Sequence, residues 1–550
     1  MTRTYFILSL LLCMFLNASF MEAQEIRLDG LEEKIEGLIP PSVNDTTPGL
    51  VIGIMHKGEL IFGKGYGLAN LSYGLPNDTK KVYNLGSVSK QFLGFAFAML
   101  HAQGQLNVDE PVSKFLDDWP TFKQEVTVRH LLSHSSGYRE AYTMSSLAGR
   151  SVGIDRLSRE ECLNVVRKQP ALEFIPGSRF TYNSTAWVIL AEILKSVTGQ
   201  EADIWVEENI LRPLAMKQTE IESYVGEVIP NAAESYYFDQ GRGYGNPKSN
   251  RAIFGAAEVY SSIEDLTYWI RNFKNPKVGG QGALDVFSSP FKFNKGEDSE
   301  YGFGINIGRH KGIPCWKHTG AHESFLTQLR YYPDQDLGIV TISNYEGNGW
   351  IRSNELAEFI LGDLMTFPEK KEYEPILLTS SQLQNLAGTY ISESENQMNT
   401  VEVKNDTLSI WGNVKMIPIS VNRFYSNSWG GEFEFMTEGM ETSQLVVHAD
   451  SKSVFNKVED WDPSRSDLKI YAADYHSKEL ETIYHLKMKN DQLFIKHRWL
   501  GEIELTAISK DLFQSDWGWF LAFDRDENDL ITGLHINSGR TLNVTFDRLD

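Results

Sequence analysis

Apolar positions along this chain fall into two kinds of run, and their order predicts an architecture. Residues 49–67, GLVIGIMHKGELIFGKGYG, place two apolar stretches on either side of His56-Lys57-Gly58-Glu59, a hairpin signature. A second hairpin is predicted where residues 325–330 and 337–342 flank Pro333-Asp334-Gln335-Asp336. From residue 90 to about residue 199 the pattern is mainly helical. It is clearest over residues 186–194, where bulky apolar side chains recur at helical spacing and Gly199 supplies a stop. Strands at both ends of a helical middle predict an α+β domain, an antiparallel sheet packed against helices.

After residue 367 the pattern changes. The charged, proline-bounded stretch PEKKEYEP over residues 368–375 marks a linker, taken as residues 368–380. Beyond it, short alternating strands with turn residues between them predict small antiparallel barrels or curved sheets. They come as a repeat: LQNLAGTY at Leu383 matches LKIYAADY at Leu468, and NDTLSI at Asn405 matches NDQLFI at Asn490. Both matches are 85 residues apart (468 − 383 and 490 − 405), so two duplicated modules are expected, over residues 381–460 and 461–550. Neither contains a constellation with obvious chemistry, and covering or propping the preceding domain is the role expected of them.

The first residues alter the picture of where the protein works. Arg3 followed by a short apolar core over residues 5–16, with Ala23 before Gln24, reads as a secretory leader of residues 1–23, too short to span a membrane. A secreted or periplasmic protein is therefore expected, its catalytic domain over residues 24–367. The net charge of −21 over 550 residues excludes the basic stripe that nucleic-acid binding needs, and is read as solubility. Of the three cysteines, Cys13 lies in the leader; Cys162 and Cys315 are expected as buried free thiols.

Candidate chemistry begins at Ser87-Val88-Ser89-Lys90, at the entry to a long apolar helical run. A serine three residues before a lysine shares a helix face with it. A serine hydroxyl is a weak nucleophile until a base takes its proton, and an amine in a partly dry site can be that base. Two further segments carry groups of the right kind. Tyr182, in PGSRFTYNSTAW, is a tyrosine that near a lysine can pass a proton or exist partly as phenolate. His318-Thr319-Gly320, in CWKHTGAHESF, lies on a predicted strand where the glycine lets a substrate lie close. The N–H of Ala321 beyond it could join that of Ser87 as an oxyanion hole.

In this order, Ser-x-x-Lys, a Tyr motif and Lys/His-Thr-Gly together resemble the signature of serine β-lactamases and penicillin-binding proteins, in particular the class C-like branch. LNVDEPVSKFL, VTVRHLLSHSSG and YYPDQDLGIVTISN resemble the phrases around those motifs, and the likeness covers roughly residues 30 to 365. The two C-terminal modules resemble the lipocalin-like modules appended to some members. The resemblance implies an ester- or amide-cleaving enzyme acting through an acyl-enzyme, with a small-molecule or peptide substrate, no cofactor and no metal. It makes Ser87 the nucleophile, Lys90 its activating partner and Tyr182 the general base or acid, with His318 and Gly320 on the third motif. D-aminopeptidase or DD-peptidase action on D-amino-acid peptides is the alternative activity. A non-catalytic binding protein that keeps the fold is the alternative of another class.

One departure bears on substrate. The family's Tyr-x-Asn is Tyr182-Asn183-Ser184 here, so a serine replaces the amide and β-lactam turnover is not the expected activity. His130 and His134 have a metal-ligand spacing, but no zincin glutamate accompanies them and a structural role is expected. Glu258 and Glu323 are expected as solvated carboxylates, with recognition of a substrate amine as the alternative.

Overall fold

A computed structural model describes residues 26–349, 352–367, 373–392, 396–438, 441–448, 452–459 and 461–549. The leader expected over residues 1–23 and residues 368–372 of the expected linker lie outside the described residues.

The first domain is built on a six-stranded antiparallel sheet. Its spatial order is Asn306–His310, Ile313–His322, Phe325–Tyr332, Leu337–Ser343, Leu50–His56, Glu59–Tyr66. Both hairpins predicted from sequence are present. In the first, Lys57 and Gly58 take the positive φ that a tight two-residue turn requires. The Leu50–His56 strand is apolar along almost its whole length because the sheet is covered on both faces. Val51 and Met55 enter a core shared with the helix Lys90–Ala102. Leu50, Ile52 and Ile54 enter a second core under the helices Leu31–Glu36 and Ser353–Leu361.

The helical middle contains Val128–Leu132, Ala141–Leu147, Arg159–Arg167 and Ser184–Thr198. Ser184–Thr198 is capped by Asn183 and ends at Gly199, whose φ of 73° closes it as its sequence predicts. Cys162 and Cys315 are buried free thiols. No helix among the described residues is long and apolar enough to cross a membrane.

Two closed eight-stranded antiparallel barrels follow, running from Gly388–Ser392 to Lys452–Lys457 and from Asp474–Ser477 to Thr541–Leu549. The repeat is physical as well as textual. Each barrel is preceded by a short helix with a capping box, Thr379 with Gln382 and Ser464 with Asp467. The Asn-Asp pairs at 405–406 and 490–491 both take positive φ at a hairpin turn. Tyr390 donates to the Leu386 carbonyl at 2.6 Å, and Tyr475 to that of Tyr471 at 3.0 Å.

The second barrel closes against the first domain. Met144 and Leu147 of the Ala141–Leu147 helix belong to the barrel's own apolar core. Tyr484 donates to the Leu147 carbonyl at 2.6 Å. Arg139, buried, joins Glu173 of the first domain at 3.2 Å to Glu479 of the barrel at 2.9 Å. Its guanidinium also donates to the carbonyls of Leu542 and Asn543.

Candidate active site

The Ser87 turn is shaped by its glycines. Gly86–Ser89 forms one turn of 3₁₀-helix that runs into the helix Lys90–Ala102. Three residues per turn set Ser87 directly beneath Lys90. Gly86 has a φ of 54°, and a Cβ there would lie 2.6 Å from the Ala321 nitrogen. A Cβ at Gly320 would lie 1.9 Å from the Leu85 carbonyl oxygen and 3.1 Å from the Ser87 nitrogen. Both positions therefore require glycine, and their closeness brings the Ser87 and Ala321 amides together across the strand–turn contact.

Lys90 is buried. Its Nζ donates to Ser87 Oγ at 3.2 Å and to the Ala256 carbonyl at 2.5 Å. Burial holds the amine well below its ordinary pKa; the nearby positive charge of Arg540 adds to this, and Glu140 and Glu258 oppose it. A neutral amine beside a hydroxyl can accept its proton.

Tyr182 packs flat against His134, ring centroids 4.1 Å apart, and its ring lies 5.0 Å from Lys90 Nζ. Its buried hydroxyl faces Ser87 without a hydrogen bond of standard geometry. Burial raises the phenol well above its ordinary pKa, and Ser87 and Arg540 offset this only in part. The resting group is therefore a phenol, and the phenolate form considered from sequence is disfavoured by desolvation.

Behind Tyr182 runs a chain of neutral groups. Tyr301 Oη lies 3.2 Å from His134 Nε2 and 2.9 Å from His318 Nε2. Burial holds both histidines below their ordinary pKa, His318 at about 3. Each neutral ring carries one N–H, so the shortest contacts assign the protons. Asn183 N–H donates to His134 Nδ1 at 2.9 Å, and His134 Nε2–H then donates to Tyr301. Tyr301 O–H donates to His318, whose Nδ1–H donates to the Thr319 carbonyl at 2.6 Å. The Trp187 indole N–H, 3.2 Å from His134 Nε2, is the contact given up. His318 thus lines the cleft with both ring nitrogens engaged.

Ser87, Tyr182, His318 and Ala321 line one cleft of about 500 Å³, with Lys90 beneath and Gly320 at the strand–turn contact. Ser184 also lines it. Asn183 turns away: its amide oxygen caps the following helix at Ala186 N, 2.8 Å, and its NH₂ donates to the Tyr138 carbonyl at 2.6 Å. His130 closes a capping box with Thr127 and does not meet His134 in a shared site.

The two glutamates are not solvated carboxylates. Glu258 is fully buried at a φ of 81°, near His322 at 3.6 Å, and burial pushes its carboxyl up to about 8. Glu323 pairs with Arg251 at 2.7 Å. Neither offers a free negative charge to the cleft.

Several groups in the site carry no sequence signal. Tyr301, Arg251, Tyr142 and Arg540 all line the cleft. A carbonyl such as that of Ala256 is invisible in any side-chain pattern, and Arg540 comes from the second barrel.

The model of the Beta-lactamase family matches residues 33–358, from before the Ser87 turn to beyond the Ile313–His322 strand. A D-aminopeptidase of Brucella anthropi is 27% identical over 318 residues, 57% of this chain and 59% of that protein. A D-aminopeptidase of Cereibacter sphaeroides is 27% identical over 342 residues, 61% of this chain and 63% of that protein. The chain thus spans about three fifths of the length of these relatives. Among solved structures, an octameric penicillin-binding protein homologue from Pyrococcus abyssi is similar in fold. Its TM-score is 0.52 at 22% identity, over 78% of this chain and all of that one. The family match covers more than half of the chain and holds every candidate catalytic residue, and the chain belongs to the Beta-lactamase family of serine hydrolases.

Proposed function

We propose that this protein is an exported serine hydrolase that cleaves an ester or amide through an acyl-enzyme on Ser87. The observation that carries the reading is the buried Lys90 amine, 3.2 Å from Ser87 Oγ and held toward its neutral form. In the first step Lys90 Nζ takes the Ser87 proton while Oγ bonds to the substrate carbonyl carbon. The oxyanion is received by the Ser87 and Ala321 amides. The C–N or C–O bond then breaks as Tyr182 gives its phenolic proton to the leaving group, and Lys90 returns a proton to Tyr182. Water, deprotonated by the same pair, attacks the ester and frees the acid and Ser87. Burial, aided by the positive charge of Arg540, holds the resting Lys90 amine toward the neutral form that can take this proton.

A D-aminopeptidase-like activity on D-amino-acid peptides fits about as well, supported by the D-aminopeptidase relatives. Export rests on the leader over residues 1–23. The experiment is labelling with a fluorophosphonate probe, followed by turnover of p-nitrophenyl esters and D-aminoacyl p-nitroanilides. Wild-type protein should label on Ser87, and Ser87→Ala should neither label nor turn over either series. Unlabelled, folded wild-type protein with no turnover would sink the reading, and the faster series decides between ester and D-amide. A mature protein beginning at Gln24 in the secreted or periplasmic fraction is the expected mark of export.

A further inference from the structure

The cleft wall is completed from another module. The turn at residues 538–541 joins the last two strands of the second barrel, Ile531–Ser538 and Thr541–Leu549. It is bolted in place. Thr541 Oγ1 accepts from the Glu140 amide at 3.3 Å, and the next two carbonyls accept from buried Arg139. From this turn Arg540 reaches into the cleft that holds Ser87, its guanidinium 4.7 Å from the centre of the Tyr182 ring.

Most of the charges around it are already paired or neutralised. Arg139 is paired with Glu173 and Glu479, and Arg251 with Glu323. The Glu140 carboxylate caps the Ala141–Leu147 helix at Thr143 through Oε2, and its Oε1 is buried without a hydrogen-bond partner but not within ion-pair distance of Arg540. Lys90, His134 and His318 are held toward neutrality by burial, and Glu258 toward its protonated form. Among the described residues no carboxylate lies within ion-pair distance of Arg540, although the chain as a whole carries an excess of acidic residues. Arg540 is exposed at the cleft but rises from a braced turn, and a guanidinium with a free donor fork is the group best matched to a carboxylate.

We propose that Arg540 of the second barrel is a specificity-determining residue that binds a carboxylate of the substrate. The inference rests on the hydrolase reading of the cleft. The carboxylate belongs to the leaving half or to the acyl half of the substrate, and both sources share the same recognition chemistry. Occupation by an anion would also offset the field that Arg540 exerts on Lys90.

The test measures equilibrium binding by calorimetry in the Ser87→Ala background, where no turnover is needed. N-acetyl-D-alanyl-D-alanine is compared with its C-terminal carboxamide for the leaving half. Succinyl-D-alanine amide is compared with acetyl-D-alanine amide for the acyl half. One pair should show a preference for the carboxylate of roughly ten- to a hundredfold, the range for a charge-assisted hydrogen bond. Adding Arg540→Ala should abolish that preference, and Arg540→Lys should keep part of it. No preference in either pair, or a preference that survives Arg540→Ala, overturns the proposal. Fluorophosphonate labelling of the wild-type protein reports separately on Ser87, so failure of the nucleophile reading is not confused with failure of this one.

Discussion

The two barrels share a strand count, a capped leading helix, a buried tyrosine bond and an Asn-Asp turn, yet they do different work. The first is filled from its own residues: among the described residues its core, from Leu383 to Phe455, takes in no side chain of the catalytic domain. It leans on the second through Ile391, which packs with Ile508 and Phe520. The second is filled in part by the catalytic domain, through Met144 and Leu147, and returns Arg540 to the cleft. Duplication supplied one scaffold twice, and what plugs the barrel decides whether it is a prop or part of the active-site wall. Tyr142, on the helix that plugs the second barrel, lines the same cleft.

The sharpest way to break the comparison is at Arg139. Its guanidinium balances two buried carboxylates, one on each side of the junction. Arg139→Ala leaves Glu479 without its cation and Glu173, whose carboxyl burial pushes up to about 8, without its guanidinium donor; breaking a buried pair costs about 3–5 kcal/mol. Calorimetry should show the catalytic domain and second barrel melting earlier and separately, with the first barrel's transition unmoved. A uniform shift of one transition would mean that the three units are a single cooperative body, and the contrast between the barrels would fall.

The comparison also explains what the sequence could and could not disclose. Both hairpins, the Ser184–Thr198 helix and the repeat were legible because they rest on local periodicity and turn chemistry. Ser87, Lys90, Tyr182 and His318 were legible because their spacing along the chain is itself informative. Arg540 was not: it lies 453 residues beyond Ser87 (540 − 87), on an ordinary Ser-Gly-Arg-Thr turn, and only barrel docking gives it meaning. The surroundings of Glu258 and Glu323 were missed for a related reason. Glu323 is met by Arg251 and Glu258 by His322, each partner approaching from another part of the chain.

Glu258 sharpens the contrast through pH, because the first barrel buries no carboxylate among its described residues. The folded carboxyl sits at about 8 against an ordinary 4.5, so between those values the native state holds a proton that the unfolded chain has lost. Its contribution to stability is complete below about 4.5 and is lost as the pH rises through about 8. The buried neutral histidines act in the opposite sense, destabilising as the pH falls below their unfolded value of 6.5. The informative quantity is therefore the difference between wild type and Glu258→Gln. Wild type should lose melting temperature relative to the variant across that window, in the catalytic transition alone. A flat difference would show that Glu258 ionises as readily in the fold as outside it.

The smallest expected effect is the most discriminating, because it applies one chemical change at matched positions. Tyr390→Phe and Tyr475→Phe each remove one buried hydrogen bond to a carbonyl, worth about 1 kcal/mol. Their stability costs should be similar, since the two bonds occupy equivalent places in the repeat. Their kinetic consequences should differ. Tyr475 lies on the Asp474–Ser477 strand, which pairs with the Thr541–Leu549 strand that carries the Arg540 turn at its start. Loosening it should raise KM with little change in kcat, because the role proposed for Arg540 is to bind substrate and not to move protons. Tyr390 lies on the Gly388–Ser392 strand, which pairs within the first barrel and not with the strand that follows Arg540, and its replacement should leave both constants as they were. If the two variants shifted KM equally, the second barrel would hold no privileged position over the first, and the cleft wall would belong to the catalytic domain alone.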